Sequence, residues 1–171
     1  MSKLHRFEFA YMSGGGVVYL KNYLVAPNVS ILRGTPCTVK IFEVTEDLLS
    51  FIDDSVVNYV NKYYGIGDSI ALIAPCQYES DVPFGVAYND ADGLEWIKLY
   101  PQESVCKYYF DDNDKALLTV KMSGKFNYTN GKLKKIRLSP FSNSNECQFV
   151  AVDNRQHDNF IYVKVSNRHI L

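Results

Sequence analysis

Residues 11–21 read YMSGGGVVYLK, and the class of fold turns on what Gly14-Gly15-Gly16 does in that stretch. A glycine run that cradled a phosphate would follow a strand and open a helix, placing the chain among nucleotide-binding α/β proteins. A dinucleotide fingerprint starting at Gly14 needs a third glycine at position 19, which is Tyr19. A Walker loop needs Gly-Lys followed by Ser or Thr, whereas Lys21 follows Leu20 and precedes Asn22. Both templates fail, and Val17-Val18-Tyr19-Leu20 favours a strand over the helix that a phosphate would need. The glycines are therefore expected to be a hairpin loop, turning one strand back onto the next without a ligand.

Working outward, residues 4–12 alternate with the period of a half-buried strand, with Phe7, Phe9 and Tyr11 on one face and Arg6, Glu8 and Ala10 on the other. A second strand is expected over residues 17–25, ended by Pro27 and Asn28, and a third over 37–44 after the Gly34-Thr35-Pro36 break. The period then changes. Leu48, Ile52, Val56, Tyr59 and Tyr63, widened by Leu49 and Val60, form one apolar stripe of an amphipathic helix over about 46–64. Thr45 can cap it, Glu46 and Asp47 suit its positive end, Lys62 suits its negative end, and Gly65 can close it in a left-handed conformation.

From Ile66 onward the pattern is strand, turn, strand, with turns at NDADG (89–93), DDND (111–114), TNG (129–131) and NRQHDN (154–159). Asn130-Gly131 is a strong two-residue hairpin signal, because both positions tolerate positive φ. The expectation is an α+β, mainly antiparallel β fold: a meander forming a barrel or two-sheet sandwich, with one helix inserted after the first three strands. No linker divides residues 1–171, so one domain is expected.

With 47% hydrophobic and 14% aromatic residues, including 13 Tyr, the chain has the composition of a packed globular protein. A formal net charge of -1 offers no global field for nucleic acid or an anionic membrane, so any such binding must be local. The start has no signal-peptide core and no run approaches a membrane span, which points to the cytoplasm, or to a virion or host cytoplasm if the source is viral. The sequons at Asn28 and Asn127 would then go unused.

Candidate chemistry is sparse. NDADG lacks the first ligand and the bidentate glutamate of a calcium loop, since those places hold Tyr88 and Leu99. Cys37, Cys76, Cys106 and Cys147 are scattered on or beside strands and read as packed thiols; His5, His157 and His169 make no zinc spacing with them. A Cys37/His157/Asp158 hydrolase would need the fold to bring them together. No catalytic residue, metal or cofactor is assigned. The binding candidates lie in residues 125–138, KFNYTNGKLKKIRL, where Lys125, Lys132, Lys134, Lys135 and Arg137 gather around Phe126 and Tyr128. Such a hairpin can protect a sheet edge, meet an acidic protein, or hold phosphates and stack bases. The residues favour the first two over nucleic acid.

The expected function is thus a non-catalytic protein-binding or structural protein, a subunit of a phage or viral assembly or an inhibitor or immunity-type protein, with self-association an option and no membrane role. The alternatives are a small-molecule carrier in a β-barrel cavity and the cysteine-dependent hydrolase.

Overall fold

The computed structural model describes residues 7–50, 54–77, 81–109, 122–129, 132–140, 149–152 and 160–165. The described chain is mostly antiparallel β. In order it forms β1 Phe7–Met12, β2 Lys21–Leu24, β3 Ser30–Ile31, β4 Pro36–Glu43, α1 Glu46–Ser50, α2 Asp54–Tyr63, β5 Ser69–Pro75, β6 Gly85–Ala87 and β7 Ala91–Asp92. It continues with β8 Trp96–Pro101, β9 Ser104–Tyr109, β10 Met122–Thr129, β11 Lys132–Pro140, β12 Phe149–Ala151 and β13 Phe160–Val165.

Five strands in the order β2-β8-β6-β4-β5 make a curled half-barrel. Its outer strands approach each other just past β2, where Val25 bridges Ile73 in parallel and the Ala26 N–H donates to the Ile73 carbonyl at 2.7 Å. Each face of this sheet carries an apolar cluster, in keeping with the apolar run of β5, SIALIAP. On one face Leu24, Ile70, Leu72 and Ala74 pack against Leu48, Val56 and Val60 of the helices. On the other, Val25, Cys37, Ile73, Ile97 and Leu99 pack together, and the small β3–β7 ladder lays Ile31 and Ala91 over them.

Local signals account for the helical segment. Thr45 Oγ1 accepts the Leu48 N–H at 3.1 Å, the expected cap, with Glu46 and Asp47 in the first turn and Lys62 in the last. Two corrections apply. The buried stripe is Leu48, Val56 and Val60, whereas Tyr59 and Tyr63 are exposed; Tyr59 instead meets Trp96 edge-on at 5.1 Å. Gly65 does not take the left-handed conformation; Gly67 does, at φ 94°, while the Gly65 N–H is bonded to Asp68 Oδ2. Ile52 lies outside the described residues.

The second sheet has six strands in the order β1-β9-β13-β12-β10-β11. It overturns the hairpin expectation for the triple glycine: β1 pairs with β9 and β2 with β8, so residues 13–20 carry the chain from one sheet to the other. The expected α+β, mainly antiparallel fold is what forms, with a strand order that departs from sequential hairpins. Within the half-barrel β6 pairs with β4 and β8, and β2 is added beside β8 from the start of the chain. Sequential hairpins survive at β10–β11 and β12–β13. Residues 130–131, 153–159 and the DDND turn lie outside the described residues. A fourth strand, β3, also precedes the helices, where three were expected.

A further inversion lies in β1. The β1–β9 register runs Phe9↔Cys106 and then Tyr11↔Val105, so Ala10 is an extra residue in a bulge. Beyond it the alternation flips. Tyr11 leaves the face of Phe7 and Phe9 and joins that of Glu8, where it is 46% exposed.

Candidate functional site

The triple glycine is a turn. Gly14, Gly15 and Gly16 take φ of 82°, 77° and 121°, and the Gly15 N–H donates to the Met12 carbonyl at 3.0 Å. No helix follows it before β2 begins at Lys21, and the Ser13 N–H donates to the Glu103 carbonyl at 2.9 Å, tying the turn to the β8–β9 connection.

The acidic turn at 89–93 spends its carboxylates on protein donors. Asp90 Oδ1 accepts the Arg33 N–H at 2.6 Å, Asp92 Oδ1 accepts the Ser30 hydroxyl at 2.7 Å, and Glu95 Oε2 accepts the Asp92 N–H at 3.0 Å. Among the described residues no group of three His, Cys, Asp or Glu could hold a metal ion. No helix among them is long and apolar enough to cross a membrane.

Cys37, Cys76 and Cys106 are free, buried thiols, and Cys147 lies outside the described residues. Burial pushes Cys106 up to about 12 and raises Cys37 and Cys76 well above the ordinary thiol range. Cys37 is fully buried and donates its proton to the Thr35 carbonyl at 3.3 Å. A nucleophile needs the opposite, an accessible thiolate. His5, His157, Asp158 and His169 lie outside the described residues. The half-barrel face turned away from the helices is packed with its own side chains.

A groove of about 560 Å³ does open beside α1, lined by Pro27, Phe42, Glu43, Asp47 and Leu94 among others. Two non-glycine residues there, Asn28 and Leu94, have φ of 62° and 61°, a left-handed conformation that is uncommon for leucine.

The six-stranded sheet is asymmetric. Following the registers across it, one face carries Phe7, Phe9, Cys106, Tyr108, Ile161, Val163, Phe149, Ala151, Gly124, Phe126, Ile136 and Leu138 in turn, without a charge. On this face Phe7, Cys106, Tyr108, Ile161 and Val163 are at 3% exposure or less and Phe9 is half-buried; on the opposite face Val105 and Tyr109 are buried as well. Phe9 on it stacks against Tyr100 of the half-barrel at 4.4 Å.

The opposite face carries the bases. Lys107 pairs with Glu8 and Tyr162, Lys164 with Val105 and Val150, and Val150 with Ser123. From Ser123 the alternation places positions 125, 127 and 129 on this face, opposite Arg137, Lys135 and Lys132. Lys107, Lys164, Lys125, Lys132, Lys135 and Arg137 thus share it with one strand carboxylate, Glu8. Tyr11, Tyr109, Phe160 and Tyr162 lie among them: Tyr11 and Tyr162 are 6.1 Å apart, Phe160 and Tyr162 5.5 Å, and the Lys107 ammonium sits 4.9 Å over the Phe160 ring. Tyr109 donates its hydroxyl to Glu8 Oε2 at 3.2 Å, and burial together with that carboxylate raises its ionisation above the usual tyrosine range. Lys164 meets Glu103 at 3.3 Å.

Of the residues proposed from sequence, Lys125, Lys132, Lys135 and Arg137 therefore fall at positions of one face. Phe126 pairs with Ile136 on the charge-free face, Tyr128 pairs with Leu133, and Lys134 falls at the register break opposite no partner. β11 is the outermost strand of its sheet, as edge protection would require. Sequence reasoning missed Lys107, Lys164, Tyr11, Phe160 and Tyr162. A signal was present for the lysines, since each interrupts an otherwise apolar strand, SVCKYY and FIYVKV. Comparison with known proteins finds no matching family model, no similar curated protein and no similar solved structure.

Proposed function

We propose that the chain is a non-catalytic binding protein that works through the basic, aromatic face of its six-stranded sheet, which takes an acidic macromolecular partner. Such contacts suit a subunit of a larger assembly, including a phage or viral one, or an inhibitor. The observation that carries the reading is the segregation of charge: the registers collect six basic positions on one face against Glu8, with Glu103 of the β8–β9 turn paired to Lys164, and leave the other face without charge. On a chain with a formal net charge of -1 this concentration is local, and a local field both attracts and orients a partner of opposite sign.

A heparin column tests it as a generic polyanion. The wild-type chain is retained at physiological ionic strength, and a variant with Lys125, Lys132, Lys135 and Arg137 all changed to Ser elutes much earlier; its melting temperature, read alongside, checks that the fold is kept. Equal retention of both proteins, or retention of neither, refutes the proposal.

A further inference from the structure

We infer that the partner of this face is single-stranded nucleic acid, an assignment that rests on the face being the working surface. An acidic protein would meet the lysines and could pack on the rings as well, but a polynucleotide matches a ring and a charge at every residue. The sheet offers rings as well, set among those lysines: Tyr11 is 46% exposed and tilted 53° to Tyr162, and Phe160 stands on the other side of Tyr162. Base stacking on aromatic side chains within a basic groove is how sequence-tolerant single-strand binding is built, because every base has a π-face and every nucleotide a charge.

The geometry also selects the strandedness. Three interstrand steps, at about 4.8 Å each, separate the ring-bearing β13 from β11, and successive strands rotate by roughly 20–25°. A flexible single strand can follow that twisted path with its bases turned onto the rings and its phosphates toward Lys107, Lys164 and the β10–β11 positions. A duplex cannot, because its bases are already stacked on one another and show the protein only their edges. The triple glycine then borders the surface: it follows Tyr11 by three residues, and the Ser13–Glu103 bond ties it to the turn whose Glu103 carboxylate meets Lys164.

The test is fluorescence anisotropy with three labelled probes of matched charge: an oligothymidylate, an abasic phosphodiester strand and a polyglutamate peptide. The wild-type chain binds the oligothymidylate tightest. Tyr11→Ala weakens that probe by roughly 5- to 150-fold, the range for losing one stacked base, while leaving the abasic strand unchanged. Tyr11→Phe restores binding, since stacking uses the ring and not the hydroxyl. Lys107→Ser lowers the salt slope by about 0.7, one phosphate contact on a single strand. Tyr11 is half-exposed, so its variants keep the fold, and their melting temperatures check this. Equal affinity for oligothymidylate and abasic strand, or no effect of Tyr11→Ala, overturns the inference. If polyglutamate binds as well as the oligothymidylate, the inference falls and the binding-face proposal stands; if no probe binds, both fall.

Discussion

Gly85 is the residue at which the half-barrel is least able to accept a side chain. It lies in β6 between β4 and β8, paired with Cys37 on one side and Pro101 on the other. A methyl group built there would overlap the Tyr100 carbonyl oxygen and press on Leu99 Cβ at 3.1 Å, so Gly85→Ala must move the β8 backbone rather than a side-chain end. Tyr100 is a poor place for such movement, since its ring stacks on Phe9 of the other sheet at 4.4 Å and 4°. Overpacking of a closed core costs about 1–3 kcal/mol. At roughly 2–4 °C per kcal/mol for a chain of this size, the melting temperature falls by about 2–12 °C. Circular dichroism followed through thermal unfolding reads it, and near-ultraviolet ellipticity reports the Phe9–Tyr100 stack. Gly15→Ala is the control: it has φ of 77° but no atom within 4 Å of its added methyl, so only left-handed strain of about 1–2 kcal/mol applies. An unchanged melting temperature in Gly85→Ala would refute the packing at β6 and β8.

Val60→Asp, which buries an unpaired carboxylate in a position 1% exposed, is expected to destabilise by about 3–5 kcal/mol or to prevent folding, and the same change at exposed Tyr63 by much less; equal losses in urea unfolding would show the wrong helix face. The buried thiols predict alkaline sensitivity. With the Cys106 thiol held up to about 12 in the folded chain against 9.0 unfolded, its contribution is full below pH 9 and is lost as pH rises toward 12, at up to about 1.4 kcal/mol per pH unit. Urea midpoints across that window show the decline, and mass mapping of iodoacetamide adducts at neutral pH finds Cys37, Cys76 and Cys106 labelled slowly; rapid labelling of Cys37 would return the hydrolase to consideration.

What the sequence discloses follows the reach of each signal. The Thr45 cap, the 3.6-residue stripe through Leu48, Val56 and Val60, and the β10–β11 hairpin are set by neighbours in the chain, and each was legible. Tyr59 and Tyr63 were misassigned because they sit at the stripe's margin, where Trp96, some 37 residues away from Tyr59, gives one ring a partner outside the core. Strand order was not legible. Nothing local to Lys21 or Gly14 says that β2 joins β8 and β1 joins β9, because that choice is made by apolar surfaces about 75 to 100 residues downstream.

The basic, aromatic face is the sharpest case of such a limit. Strand periodicity assigns a face only while the count of residues on paired strands stays equal, and two bulges break that count. Ala10 turns Tyr11 from the buried side to the side of Glu8, and the break at Lys134 lets Lys132 oppose Thr129 on the same side as Lys135 and Arg137. Lys107 and Lys164 then join a patch that begins at Lys125 only because β13 and β12 stand between β9 and β10 in the sheet. A cluster of bases on one hairpin is ordinary edge protection. The same bases continued across the sheet beside Tyr11, Phe160 and Tyr162 do more than guard an edge, because β9 and β13 are interior strands whose backbone groups are already paired on both sides. Charge on those strands has no edge to protect; it marks a solvated sheet face, and the retention and anisotropy experiments decide whether that face also takes the proposed polyanion.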